Sequence, residues 1–316
     1  MDPILKKAAL LMAALLLVGG LRAQNAPDRI VRLYPEGQAV DRGIVEDGVA
    51  VTQGPFCPNE LKVPESWDGK LLRRVSDPWL RIYLPERNTT GQMVVICPGG
   101  AYALLSTVTE GTLAARWLVE RGIAACVVWY RMPNGHDRIP LTDVQNAFRY
   151  CRYHAPEWGV KQIGVMGFSA GGHLAASAAT LYEDAVTKPD FSVLFYPVIT
   201  METGVTHEGT AHNLVREDPR LRDWYSLEKR VREDTPPAIV LVSDDDRSLS
   251  PENSLRYYRA LRAHGVPAQI HIFPTGDHGW GFAAKAYTGR KDPIGDESRA
   301  TVDSVLEAFL QSLRTP

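Results

Sequence analysis

A serine bracketed by glycines, Gly167-Phe168-Ser169-Ala170-Gly171, constrains this 316-residue chain more than any other feature. Before it runs Gln162-Ile163-Gly164-Val165-Met166, a short apolar strand. After it runs Gly172-His173-Leu174-Ala175-Ala176-Ser177-Ala178-Ala179-Thr180, an alanine-rich helix. Strand, sharp turn and helix together form a nucleophile elbow. The turn forces Ser169 into a strained conformation, and glycines on either side let other backbone approach where a Cβ would clash. The hydroxyl is lifted above the sheet. The helix N-terminus points its free N–H groups at negative charge that develops beside it.

The rest of the chain reads as the sheet such an elbow needs. Leu80–Leu84 alternates as a strand, while Met93–Cys97 and Ala124–Tyr130 are continuous apolar runs, the pattern of strands buried on both faces. Phe191–Tyr196, Ala238–Val242 and Gln269–Phe273 are further strands. Helical patterns lie between them: Thr112–Arg121, Asp143–His154, a segment opened by Ser250-Pro251-Glu252 and running to His264-Gly265, and Glu297–Leu313 at the end. Strands alternating with helices imply an α/β fold, with a mostly parallel sheet covered on both faces. Two stretches break the rhythm. Residues 27–64 are rich in Gly and Pro and read as an irregular surface arm. Residues 199–236 are polar and read as a small cap inserted over the sheet.

A serine hydroxyl is a weak nucleophile and needs a base within hydrogen-bond reach, itself oriented by a carboxylate. On this scaffold the partners follow in the order Ser, acid, His, each on a loop after a strand. Ser243-Asp244-Asp245-Asp246-Arg247-Ser248-Leu249 and Gly276-Asp277-His278-Gly279-Trp280-Gly281 supply that order. His278, among glycines that permit close approach, is the expected base. The expected acid is one of Asp244, Asp245 and Asp246. Cys97-Pro98-Gly99-Gly100-Ala101-Tyr102 follows a strand at the place where an oxyanion hole is built. The N–H groups of Gly100, Ala101 and Ala170 are its expected donors. Tyr102, His207 and Trp280 are candidate substrate contacts. His173, beside the serine, is expected to pack or cap locally. A metal site built from the Asp triplet and His278 is disfavoured, since no further ligand cluster accompanies them.

The net charge is −2 and no basic stripe exists to neutralise phosphates, so a nucleic-acid partner is not expected. Lys6-Lys7, the apolar run Ala8–Val18 and Gly19-Gly20-Leu21-Arg22-Ala23 read as a secretory signal peptide over residues 1–23, leaving a catalytic domain over 24–316. The apolar run is too short to span a bilayer, and no cysteine follows the cut to carry a lipid, so no membrane anchor is expected after cleavage. Cys57, Cys97, Cys126 and Cys151 show no zinc-ligand spacing. Cys97 and Cys126 read as small buried hydrophobes, and the sequence names no disulfide pair.

Several segments carry a resemblance: Pro98–Tyr102, Glu110-Gly111, Tyr130-Arg131-Met132-Pro133, Pro140-Leu141-Thr142-Asp143, Gly164–Leu174, Thr235-Pro236-Pro237 and Gly276–Gly279. On these the chain resembles the α/β-hydrolase superfamily over roughly residues 70–315, and within it the exported acetylxylan-esterase-like enzymes of gut and rumen Bacteroidetes. It departs at Pro98, where the related lipase branch has His, and at Leu249, where Val followed by Pro is usual. The resemblance implies a serine carboxylesterase that removes O-acetyl groups from acetylated hemicellulose or its oligosaccharides, without metal or organic cofactor. In the related enzymes the acid precedes a two-residue gap and Val or Leu. Only Asp246-Arg247-Ser248-Leu249 fits that register, so the resemblance implies Asp246 as the acid, with Asp245 the runner-up. The competing readings are a feruloyl or other short-chain esterase, a prolyl-oligopeptidase-like peptidase, and a silent glycan-binding protein. The sequence leaves the sugar, the acetyl position and the oligomeric state open.

Overall fold

Eight strands form one sheet: β1 (Arg29–Arg32), β2 (Trp79–Tyr83), β3 (Gln92–Cys97), β4 (Ala124–Trp129), β5 (Gln162–Phe168), β6 (Ser192–Phe195), β7 (Ala238–Ser243) and β8 (Ala268–Phe273). The computed structural model describes residues 26–34, 45–46, 49–50, 71–73, 75 and 77–314. The spatial order is β1-β2-β4-β3-β5-β6-β7-β8. β1–β2 and β2–β4 pair antiparallel, and every other neighbouring pair is parallel. β3, β4 and β7 are buried at every position, as their unbroken apolar runs require.

The main helices are α1 (Leu113–Val119), α2 (Ile139–His154), α3 (Ser169–Thr180), α4 (Glu208–Val215), α5 (Pro219–Trp224), α6 (Glu252–Ala263) and α7 (Asp296–Ser312). Two glycines of β5 reveal the layering. A Cβ on Gly164 would strike the Phe191 ring, which meets Phe309 of α7 edge-on, whereas a Cβ on Gly167 would strike Ala175 of α3. Positions three apart on a strand face opposite ways, so α7 and α3 cover opposite faces. α1 lies with α7, joined by Trp117 Nε1 donating to Asp303 Oδ1 at 2.9 Å, and α2 packs on α3.

Element boundaries moved in instructive ways. α2 begins four residues before the expected Asp143, because Pro140 occupies a first-turn position where its missing N–H costs nothing. α1 is preceded by a π-helical turn, Val108–Thr112, that periodicity alone did not announce. α6 begins at Glu252 with Pro251 as its cap, one residue later than Ser250-Pro251-Glu252 suggested, while the Ser250 hydroxyl accepts from the Glu252 N–H at 3.3 Å. The arm over 27–64 is not wholly irregular: Arg29–Arg32 adds the antiparallel edge strand, while most of the remainder lies outside the described residues. Leu71–Arg73 pairs with Leu104–Ser106 in a small separate ribbon. The segment 199–236 carries α4 and α5. The expected signal peptide over 1–23, and Cys57, also lie outside the described residues.

Since β3, β5, β7 and β8 run parallel, the loops after all four emerge at one edge of the sheet, where open α/β sheets place their sites.

Candidate active site

Ser169 follows β5 at φ 53°, in the left-handed region, and opens α3. The turn is so close that a Cβ on Gly171 would lie 2.1 Å from the carbonyl oxygen of Cys97, so only glycine fits there. Phe168, buried beneath the elbow, stacks on Phe195 of β6 at 4.7 Å between ring centroids.

His278 Nε2 stands 2.8 Å from Ser169 Oγ, and its Nδ1 stands 2.7 Å from Asp246 Oδ2. The carboxylate is an acceptor only, so Nδ1 carries the proton and Nε2 is free to accept from the serine hydroxyl. Asp246 is fixed through its other oxygen: Oδ1 accepts from the N–H groups of Ser248 at 2.9 Å and Leu249 at 2.8 Å. Leu249 itself is buried, which pins the loop. The structure thus brings together Ser169, His278 and Asp246, the last being the aspartate that the register of the related enzymes implied. Asp245 does other work. Its Oδ1 accepts from the backbone N–H of Asp277 at 2.8 Å, so it braces the histidine loop and does not reach the imidazole. Arg247 spans the same gap with an ion pair to Asp277.

The loop after β3 runs through three successive positive φ values, Gly100 136°, Ala101 54° and Tyr102 56°. The N–H of Gly99 is engaged, donating to Glu110 Oε2 at 3.0 Å. Ser106 and Leu104 donate back to the carbonyls of Gly99 and Gly100 and close the loop on itself. Those bonds use the loop's carbonyls, leaving the N–H groups of Gly100 and Ala101 as the loop's candidate anion donors. Ala170 sits in the first turn of α3, where backbone N–H groups have no intrahelical acceptor.

Two expected substrate contacts are corrected. Trp280 is wholly buried: its Nε1 donates to Ser243 Oγ at 2.9 Å and its ring packs on Phe195 and Tyr196. Tyr102 is only 2% exposed, and its hydroxyl meets His173 Nδ1 at 2.9 Å. Both aromatics stand behind the reactive groups because burying a large ring outweighs exposing it at a loop tip. His207 remains close. It caps α4, its Nδ1 accepting from the Thr210 N–H at 3.1 Å. Burial, then the charge of His278, lowers its pKa.

His173 is buried and tied at both nitrogens. Nε2–H donates to the carbonyl of Tyr225 at 2.9 Å, so Nδ1 accepts from Tyr102. Burial lowers its pKa to about 4, which keeps it neutral and structural. Cys97, Cys126 and Cys151 are buried free thiols. Among the described residues no group of three or more His, Cys, Asp or Glu is placed to hold a metal, and no helix is long and apolar enough to cross a membrane.

Three supporting residues were not singled out as site residues from the sequence, although Glu110 lies in a segment that carries the family resemblance. Tyr196, at φ 34°, sets its ring 4.8 Å from that of His278. Glu110 is buried beneath the site, and Asn213 reaches into it from the cap. Each is an ordinary residue type whose partners are distant in sequence, so its role could not be read from the residues around it.

Over 208 residues the chain is 42% identical to an acetylxylan esterase of Xylanibacter ruminicola, covering 63% of this chain and 43% of that protein. It is 33% identical over 221 residues to endo-1,4-beta-xylanase B of Butyrivibrio fibrisolvens, covering 64% of this chain and 34% of that one. The chain therefore spans less than half the length of these two relatives. Its backbone superposes on an acetyl ester-xyloside bifunctional hydrolase from Caldicellulosiruptor lactoaceticus with a TM-score of 0.70 at 28% identity, covering 90% of this chain and 98% of the other. The model of the alpha/beta hydrolase fold family matches residues 94–282, which take in the oxyanion loop, the elbow, the acid loop and the histidine loop. A serine on an elbow, a base and an acid on successive loops, and a sheet of this order carry the same message: the chain belongs to the alpha/beta hydrolase fold family.

Proposed function

We propose that the protein is a serine carboxylesterase that removes O-acetyl groups from acetylated xylan or its oligosaccharides through an acyl-enzyme. The observation that carries the chemistry is the aligned array of Ser169, His278 and Asp246 at 2.8 and 2.7 Å. The likeness to an acetylxylan esterase at 42% identity supports the substrate class.

In this reading Ser169 Oγ attacks the ester carbonyl while its proton passes to His278 Nε2. The carbonyl oxygen becomes an oxyanion, held by the N–H groups of Gly100, Ala101 and Ala170. Asp246 stabilises the imidazolium. The C–O bond to the sugar breaks as His278 returns the proton to the departing sugar oxygen, leaving acetyl-Ser169. Water then attacks the acyl carbon, His278 takes its proton, and acetate leaves as the proton returns to Ser169 Oγ. The cap, with His207 beside the triad, supports a role in shaping the sugar side of the site.

Export completes the proposal, with cleavage after Ala23. N-terminal sequencing of the protein recovered from outside the cytoplasm tests it, and a mature chain beginning at Met1 refutes it.

Acetate release from acetylated xylan, compared with feruloylated arabinoxylan and a proline anilide, tests the substrate reading. Acetate release should dominate. Preferred release of ferulate or of the anilide would replace it with one of the other readings.

A further inference from the structure

A glutamate that contacts neither the serine nor the histidine sits between the two loops that must act on them. Glu110 lies in the π-helical turn Val108–Thr112 and is 4% exposed. Its two carboxyl oxygens face different partners. Oε2 accepts from the N–H of Gly99, on the oxyanion loop, at 3.0 Å. Oε1 accepts from the hydroxyl of Tyr196 at 2.8 Å, and that hydroxyl accepts in turn from the N–H of Gly281, on the histidine loop, at 2.8 Å. The backbone adds a parallel link, with the Phe282 N–H donating to the carbonyl of Thr109 at 2.9 Å.

The polarity of this chain is fixed. Gly281 can only donate to Tyr196, so the tyrosine proton is free for Glu110, and Gly99 can only donate as well. Glu110 satisfies both as the carboxylate, which is an acceptor at each oxygen. Burial raises its pKa, while Tyr196, the charge of His278, Gly99 and Ser106 oppose that shift. A buried carboxyl is costly unless hydrogen-bonded, so a merely structural role would be served more cheaply by an apolar residue. The fit is also close. A Cβ on Gly99 would lie 2.7 Å from Glu110 Oε2 and 3.1 Å from Ser169 Cβ, so the carboxylate, the oxyanion loop and the nucleophile are packed in one row.

We propose that Glu110 is a positioning residue that locks the oxyanion loop to the histidine loop through Tyr196. The lock holds the Gly100 and Ala101 N–H groups and His278 Nε2 in one fixed relation to Ser169. It acts on groups whose charges appear only in the transition state, so its loss falls on kcat and leaves KM nearly unchanged. A misplacement of about 1 Å can cost about a hundredfold.

The inference rests on the esterase reading, and one assay separates the two. Wild type, Glu110→Gln and Tyr196→Phe are compared on p-nitrophenyl acetate, with Tm recorded for each. Glutamine keeps the shape and can still accept from Gly99, but it cannot accept from both partners. Phenylalanine keeps the ring and removes the relay. In each folded variant kcat should fall by about tenfold to a hundredfold with KM within about twofold. If Glu110→Gln does not fold, Tyr196→Phe decides. Wild-type kcat in either folded variant overturns the inference, as does a change confined to KM. Absence of hydrolysis by the wild type would instead refute the esterase reading itself.

Discussion

Asn213, on the cap helix α4, donates from Nδ2 to the carbonyl oxygen of Ala101 at 2.8 Å. α4 therefore grips the loop after β3, at a residue held in the left-handed region. The same loop is held from below, where Tyr102 meets His173 and His173 meets the cap backbone at Tyr225. One such hydrogen bond nets about 1 kcal/mol, so Asn213→Ala should lower kcat on p-nitrophenyl acetate by about fivefold. KM for this small ester should stay within a factor of about two. An unchanged kcat would mean the loop holds its shape without the cap.

Ser169→Ala should fold normally and lose esterase activity. A triad member is worth several orders of magnitude in kcat, with only residual turnover left from the oxyanion donors. Circular dichroism checks the fold and ester hydrolysis checks the loss. Turnover above a small fraction of wild type would mean that Ser169 is not the nucleophile.

The two adjacent aspartates should separate cleanly. Asp246 holds the imidazole, whereas Asp245 holds only the Asp277 backbone. Asp246→Asn should lose on the order of a thousandfold or more in kcat, because the amide oxygen is taken by the Ser248 and Leu249 N–H groups and its NH2 then faces Nδ1, which favours the wrong tautomer and leaves the imidazolium without a counter-charge. Asp245→Asn should lose far less, since its amide oxygen can still accept from Asp277. The reverse ranking would show that the acid lies one residue earlier.

The elbow, the acid register and the histidine were legible because each is a local pattern: glycines around a serine, a leucine three residues after an aspartate, a histidine among glycines after a strand. The sheet was legible for the same reason, since β3, β4 and β7 are unbroken apolar runs. What stayed hidden depends on partners far along the chain. Glu110 meets Tyr196 across 86 residues and Asn213 meets Ala101 across 112, and neither pairing can be read from the residues around it. Trp280 misled for the converse reason. Its neighbours in sequence are catalytic, but its indole turns inward to Ser243. The edge strand β1 was missed because four residues with charged ends look like loop until an edge is there to receive them.

Arg131 and Asp143 form a buried ion pair at 2.7 Å, with the Arg131 N–H and the Tyr34 hydroxyl also donating to the carboxylate. The pair fastens the loop after β4 to the second turn of α2. Removing one partner leaves the other charge buried and uncompensated. Asp143→Ala should therefore destabilise the fold by about 3–5 kcal/mol, read as a lower midpoint in urea. A loss under about 1 kcal/mol would mean that water reaches the stranded guanidinium.

His173 should make the fold acid-sensitive in a defined window. Burial lowers its native pKa to about 4 from the ordinary imidazole value of 6.5. Between these values the unfolded chain binds a proton that the native state does not, so stability falls as pH drops from about 6.5 toward 4. The direction is that of a neutral group forced to charge on unfolding, and the stabilisation is complete above the unfolded value. Full development of the shift corresponds to about 3 kcal/mol. Carboxylates titrate in the same range, so the comparison is made against His173→Gln, which does not ionise there. The stability advantage of wild type over His173→Gln, measured by denaturant unfolding, should shrink steadily from pH 7 to pH 4. An advantage that stays constant across that range would mean that His173 binds its proton as readily in the native state as in the unfolded chain.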